Sequence, residues 1–304
     1  MIKKETTMKI KKIVAALLAL AVLVGTVFTG CSNESDASSD ERDSKKEEKK
    51  SKKEEKTSND LISDYTPEIN TIDVGTGVFT FEKVEGDAVV IVGYSSRADK
   101  NVEVDIPFMI NDYPVVGIAD NVFYNMSSVV EVNIPYTVTE IGKLAFANCT
   151  ELESVTLPEG LISIGMGAFR GCEKLKTVNL GESLVSIGDF AFESCPALNS
   201  MVLPETLESI GNYAFAYDVS LDAFAAPAGL KTIGNLAFYE CSGLKSIKLS
   251  DNIERIGEYA FVLQSASMKN IIDTTSYAPD SYAAKYVAAM PETIETIETI
   301  ETIE

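Results

Sequence analysis

Histidine and tryptophan are absent from the 304 residues of this chain. Without histidine it lacks the commonest general base and the commonest metal ligand, which weighs against an enzyme. Basic residues are scarce: 26 Lys and Arg stand against 46 Asp and Glu, for a net charge of -20. Nucleic acid is therefore a poor partner, because phosphate binding needs clustered cations. The five cysteines include no Cys-x-x-Cys pair, so the usual zinc spacing is missing. No Gly-Lys-Ser follows Gly165-Met166-Gly167, and Gly181-Glu182-Ser183 lacks the second glycine of a nucleophile elbow. The carboxylates show no calcium-loop spacing. No catalytic set, metal site or cofactor is expected. What the chain does have is a hydrophobic fraction of 45%, enough to bury a sizeable core.

The N-terminus has the order of a targeting segment. Lys3, Lys4, Lys9, Lys11 and Lys12 precede an apolar run from Ile13 to Val27, and Phe28-Thr29-Gly30-Cys31 follows. This order fits a secretory signal. Its ending resembles a bacterial lipobox, which implies cleavage before Cys31 and acylation of that cysteine; Phe28 stands where the family usually has Leu. Read instead as an uncleaved anchor, 13–30 is at the short limit for a spanning helix. Either way the body lies outside the cytoplasm, and two acyl chains would hold it stably on a membrane.

Residues 31–60 are expected to be a disordered charged tether. The centre, 45–56, is made of Lys, Glu and one Ser, and such a segment cannot offset its ordering entropy by burial. Fully extended, 32–60 would reach on the order of 100 Å. The tether is nearly neutral, so the body is the acidic part, with 13 basic and 35 acidic residues in 61–304. At the other end, 292–304 repeats Glu-Thr-Ile with a period of three, which suits neither helix nor strand, and reads as a low-complexity tail.

Between these ends the sequence repeats itself. Ile118, Ile141, Ile164, Ile187, Ile210, Ile233 and Ile256 are each 23 residues apart, and all but the first precede a Gly. Phe123, Phe146, Phe169, Phe192, Phe215, Phe238 and Phe261 keep the same step. One unit shows Leu175, Val178 and Leu180 alternating as in a short strand with one buried face. Ala168, Phe169 and Cys172 have the spacing of a helical turn. Pro135, Pro158, Pro204 and Pro227 end the strands, where a missing ladder donor does no harm. A single 23-residue unit cannot bury enough to offset its backbone entropy, so the units must stack into a solenoid.

These residues resemble the BspA-type leucine-rich repeat family, over roughly 70–290. The resemblance implies an α/β, β-rich solenoid at 118–275, an N-terminal β cap at 61–117 and a short C-terminal cap helix at 276–291. It also implies surface display, since family members are surface proteins and several bind host matrix proteins or other bacteria. Two places depart from the pattern. Asp218 stands in the cysteine position of its unit, whose strand reads Leu221-Asp222-Ala223-Phe224-Ala225-Ala226, and the last unit has Gln264 and Ser267 where Cys and Leu are expected.

Cys149, Cys172, Cys195 and Cys241 share one repeat position and are expected as buried thiols beside the Phe column, since parallel side chains are wrongly aimed for bridging. A stripe of Leu144, Gly167, Phe190, Tyr213, Leu236 and Tyr259 precedes the Ala-Phe pair and is a minor ligand candidate. The main candidate is the outward face of the strands: Asn133, Ser154, Thr156, Thr177, Asn179, Ser200, Val202, Ser246 and Lys248, with Glu131, Ala223 and Ala225 alongside. The expected function is adhesion by a lipid-anchored surface protein to an extracellular protein or glycoprotein. The alternative is a passive envelope spacer with no specific ligand.

Overall fold

The computed structural model describes residues 70–263 and 266–290. The signal segment, Cys31, the tether, residues 61–69, Gln264 and the Glu-Thr-Ile tail lie outside the described residues.

Antiparallel strands open the fold. β1 (Asn70–Asp73) pairs with β2 (Gly77–Val84), and β2 with β3 (Ala88–Ser96). β4 (Val102–Asp105) and the two-residue β5 (Met109–Ile110) lead into β6 (Tyr113–Ile118), which lies parallel to β3 and antiparallel to β5. From β6 onward the chain winds in coils of 23 residues, each adding to one or both of two parallel sheets.

The first sheet passes through every coil. It continues from β6 through β8 (Glu140–Ile141), β10 (Ser163–Ile164), β12 (Ser186–Ile187), β13 (Ser209–Ile210), β15 (Thr232–Ile233) and β17 (Arg255–Ile256). The isoleucines are in register, Ile118 beside Ile141, then Ile164, and so to Ile256. The glycine after each isoleucine is required by the approach of the next coil. A Cβ on Gly165 would stand 2.6 Å from the carbonyl carbon of Gly142, and one on Gly188 would stand 2.8 Å from the Met166 nitrogen. Ala119 replaces glycine in the first coil, where the layer beneath is the cap strand β3, whose Ile91 carbonyl accepts the Ala119 N–H.

The second sheet is interrupted. β4, β7 (Val129–Asn133), β9 (Ser154–Thr156) and β11 (Thr177–Asn179) form one parallel group, and β14 (Ala223–Ala225) with β16 (Ser246–Lys248) forms another. The coil between them contributes only an isolated bridge from Thr177 to Ser200. β18 (Val262–Leu263) and β19 (Ala266–Ser267) make a small antiparallel pair, and α1 (Tyr282–Ala289) closes the array, capped by the Ser281 hydroxyl on the Ala284 N–H.

The seven repeat phenylalanines form one continuous buried column. Adjacent rings lie 4.8–5.4 Å apart with interplanar angles of 3–10°, the spacing set by strand stacking and within the range of offset aromatic pairs. Phe79 and Tyr94 of the cap meet Phe123 at one end, and Tyr286 of α1 meets Phe261 edge-on at the other. Both ends of the column are thus shielded from water by aromatic side chains of the flanking elements.

The segment around each Ala-Phe pair is not the helical turn that its spacing suggests. Two residues in each of six coils, and one in the last, take the left-handed region: Asn121, Leu144, Gly167, Phe190, Tyr213, Leu236 and Tyr259 in one row, and Asn125, Asn148, Gly171, Ser194, Tyr217 and Glu240 in the other. This alternation turns every second N–H toward the next coil. Leu144, Phe146 and Asn148 donate to the carbonyls of Met166, Ala168 and Arg170, while Ala147 and Cys149 donate back within their own turn to Leu144 and Phe146. All of these donors are paired, at a backbone cost of about 1 kcal/mol or more for each non-glycine residue in the left-handed region.

The four repeat cysteines are free thiols, buried as expected. Each Sγ donates across the coil boundary, from Cys149, Cys172, Cys195 and Cys241 to the carbonyls of Phe123, Phe146, Phe169 and Phe215 at 2.9–3.2 Å. Asp218 occupies the same column, fully buried, with its Oδ2 lacking a hydrogen-bond partner.

Candidate binding surface

The proposed sheet face is built from the period-two alternation of the second sheet. Val132, Val155, Val178, Phe224 and Ile247 point into the core, and their neighbours point out. Asn133, Thr156, Thr177, Asn179 and Lys248 are exposed, and Ser154 and Ser246 are half-buried. Register brings Glu131, Ser154 and Thr177 into one row and Asn133, Thr156 and Asn179 into a second. The second row continues into the cap, where Asn133 Nδ2 donates to Asp105 Oδ1 at 2.8 Å. These are short side chains on a fixed backbone, so they can offer hydrogen bonds while losing little rotamer entropy.

The structure separates residues that the sequence places on one continuous face. Ser200 is held by a bridge alone, and Val202 lies outside any strand with 83% of its surface exposed. Ser246 and Lys248 belong to the second group, beyond this gap. At the gap Asn179, Val202, Glu159, Glu182 and Glu205 share the lining of a cavity of about 550 Å³. Of these carboxylates, Glu159 Oε2 accepts the Glu182 N–H at 3.2 Å and Glu205 Oε2 the Ala228 N–H at 2.6 Å, so part of the acidic rim is used to brace successive coils.

Ion pairs follow the same 23-residue step. Lys174 meets Glu151 at 2.5 Å, Lys176 meets Glu153 at 2.7 Å and Lys231 meets Glu208 at 3.0 Å. The Lys176 contact holds the Glu153 carboxyl below its ordinary value, and the Glu151 contact holds the Lys174 ammonium above its own. Being solvent-exposed, such pairs add little stability each; their effect is to fix charge positions beside the sheet.

Two features carry no periodic signal and were missed by pattern alone. Phe108 and Tyr136 stack at 6.0 Å with 50% and 64% of their surfaces exposed, next to the end of β7. On the turns, Tyr217 packs edge-on against Tyr239 at 5.5 Å. The available clue is position: Tyr136 stands where later coils have Glu159, Glu182 and Glu205, and Tyr217 where earlier ones have Asn125 and Asn148. Within the stripe that precedes the Ala-Phe pair, Phe190 and Tyr213 are half-buried, Leu236 is buried and Tyr259 is exposed. Among the described residues no group of three or more Cys, Asp or Glu is gathered as metal ligands.

Comparison with known proteins agrees with this architecture. A family model described as the BspA type leucine rich repeat region matches 116–224 and 208–299, with six copies. The crystal structure of the T. pallidum leucine rich repeat protein TpLRR is 30% identical, with a TM-score of 0.57, over 64% of this chain and 88% of that one. A leucine-rich repeat protein from Bacteroides capillosus is 31% identical over 43% of this chain and 96% of that one, with a TM-score of 0.38. A leucine rich cell surface protein from Faecalibacterium prausnitzii is 24% identical over 67% and 77%, with a TM-score of 0.39. No curated protein matches the chain.

Proposed function

The chain belongs to the BspA-type leucine-rich repeat family, and from that premise we propose that it is an adhesin, lipid-anchored through Cys31 on a bacterial surface, that binds an extracellular protein or glycoprotein through its second sheet. The observation that carries this is the pair of in-register rows Ser154–Thr177 and Thr156–Asn179. A row of short polar side chains on a rigid sheet is pre-organised for contact, so binding need not order the surface first. Beside it lie an exposed aromatic pair, Phe108 and Tyr136, of the type that dominates interface energetics, and a cavity bordered by Asn179 and Val202.

The test is solid-phase binding of the full chain to immobilised matrix proteins, glycoproteins and whole bacterial cells, beside the double variant Thr177→Arg, Asn179→Arg. Two long charged side chains in the centre of the face are expected to weaken binding to the recognised surface at least tenfold, in line with about 1–2 kcal/mol for a central contact. Equal binding by both proteins would remove the sheet from the interface. Binding to no surface at all would favour the passive spacer, with which the small, weakly polar outward residues also agree.

A further inference from the structure

The cavity at the break in the second sheet owes its lining to one irregular coil. Where other coils bury Val155, Val178, Phe224 and Ile247, this coil leaves Met201 half-buried. Leu203 is half-buried too, although Leu157, Leu180 and Leu249 at the same repeat position are buried. Between them Val202, 83% exposed, stands where Asn133, Thr156 and Asn179 stand in earlier coils. Leu180, Val202, Leu203 and Pro204 thus give the cavity, of about 550 Å³, an aliphatic lining.

The rest of the lining is mainly acidic. Glu159, Glu182 and Glu205 hold one repeat position in three successive coils, whose strands stack about 4.8 Å apart. No Lys or Arg lines the cavity. Elsewhere on the body, carboxylates at the same 23-residue step are matched by lysines, as Glu151 is by Lys174, Glu153 by Lys176 and Glu208 by Lys231. Within the row, Glu159 and Glu205 each lend one oxygen to an N–H of the next coil. Glu182 does not: among the described residues none donates to its carboxylate. It stands between two like charges with nothing on the chain to offset them.

An aliphatic lining beside a carboxylate that lacks a cation matches a side chain with an apolar stem and a positive end. We propose that this cavity receives a lysine side chain presented by the protein partner, its four-carbon stem against Leu180, Val202 and Leu203 and its ammonium against Glu182. Lysine fits better than arginine. The lining has no aromatic ring for a guanidinium to stack on, and its carboxylates come from separate coils, which suits a compact point charge better than a planar fork. The inference rests on the adhesive reading of the sheet, since Asn179 belongs both to the polar row and to the cavity.

The test is a titration of the full chain with Nα-acetyl-lysine methylamide, followed by the methyl NMR signals of Leu180, Val202 and Leu203. Methylammonium carries the charge alone, Nα-acetyl-norleucine methylamide the stem alone, and Nα-acetyl-arginine methylamide the other cation. Each is expected to shift these signals less at equal concentration. Glu182→Gln and Val202→Ser alter exposed side chains and should leave the fold intact. They are expected to raise the half-saturating concentration about two- to fivefold and about twofold or more. Glu258→Gln, in the last coil, should leave it unchanged. An equal response to any of the three comparison probes overturns the proposal. So does an unaltered half-saturation in either cavity variant, or a stronger response to calcium than to the lysine derivative. The two readings fail separately: this titration reports on the cavity alone, and the surface-binding comparison with Thr177→Arg, Asn179→Arg reports on the whole face.

Discussion

Asp218 Oδ1 accepts the backbone N–H of Cys195 at 2.7 Å, reaching back into the preceding coil from the position that cysteine holds in four other coils. Elsewhere that N–H stays within its own turn: Cys149 and Cys172 donate to the carbonyls of Phe146 and Phe169. The coil whose turn is redirected in this way is also the one that contributes no strand to the second sheet.

Replacing Asp218 by Cys is expected to stabilise the solenoid. The carboxyl is fully buried and its Oδ2 has no partner, a situation that costs about 1–3 kcal/mol. A thiol restores the donor to the phenylalanine carbonyl below, and the Cys195 N–H can return to Phe192. Urea unfolding followed by circular dichroism should give a higher midpoint for Asp218→Cys than for the parent.

The same carboxyl should make stability depend on pH. Burial, then Cys195 and then Glu193, push the Asp218 carboxyl well above 3.8, the ordinary aspartate value, against the lowering effect of the Cys195 N–H. The folded state therefore favours the protonated form. Its contribution is fully present below 3.8 and is lost as pH rises toward the folded value. Glu193, raised by burial and partly offset by Arg170, acts in the same direction. Urea midpoints between pH 4 and 8 should fall less steeply for Asp218→Asn than for the parent. Parallel slopes would show that Asp218 is charged throughout.

Phe169 sits in the middle of the column between Phe146 and Phe192. Its replacement by Ala is expected to cost about 3–5 kcal/mol, because a rigid stack cannot collapse onto the void. Tyr286→Ala should cost less, since that ring touches the column edge-on at its end. The comparison is made by chemical denaturation of the two variants.

Gly188→Ala should be as harmful as a core substitution although it adds one methyl group. The new Cβ would stand 2.8 Å from the Met166 nitrogen and 2.9 Å from the Gly165 carbonyl carbon, and neither backbone atom can move without parting the coils. A loss of about 1–3 kcal/mol is expected, read as a lower melting temperature. Wild-type stability would mean that the coils are farther apart than the register implies.

If Cys31 carries the lipid, Cys31→Ala should release the protein from the membrane fraction into the medium. Immunoblots of fractionated cells would show this, and retention on the membrane would favour an uncleaved N-terminal anchor.

The buried columns were readable from the sequence, because one strongly apolar residue every 23 positions admits few arrangements other than a stack. The turn conformation was not. Spacings of one and three at Ala168, Phe169 and Cys172 suit a helix as well as they suit alternating left- and right-handed residues. Asn121, Asn125, Asn148, Gly167 and Gly171 were a hint, but Leu144, Phe190 and Glu240 take the same conformation with no propensity to announce it. The gap in the second sheet was not legible either. The irregular residues, Asp218 and Ala223–Ala225, fall in one coil, yet the strand is lost in the coil before it, where Asp218 finds its hydrogen-bond donor. The outward residues Thr156, Thr177 and Asn179 followed directly from alternation, whereas Tyr217 and Tyr239 meet only because neighbouring coils carry them in adjacent positions, a relationship that no single repeat contains.

Two sheets of unequal continuity give the stack a weakest seam. Tension along its long axis would load the hydrogen bonds between coils end-on. Most neighbouring coils share both ladders, but across 200–203 and 223–225 the second ladder is missing, which leaves the short isoleucine strands β13 and β15, the hydrogen bonds of the turns and a lone Asp222 N–H on the Asn199 carbonyl. Under load, extension would begin at that boundary and leave a block on either side intact, so the molecule would lengthen in one step before its core is lost.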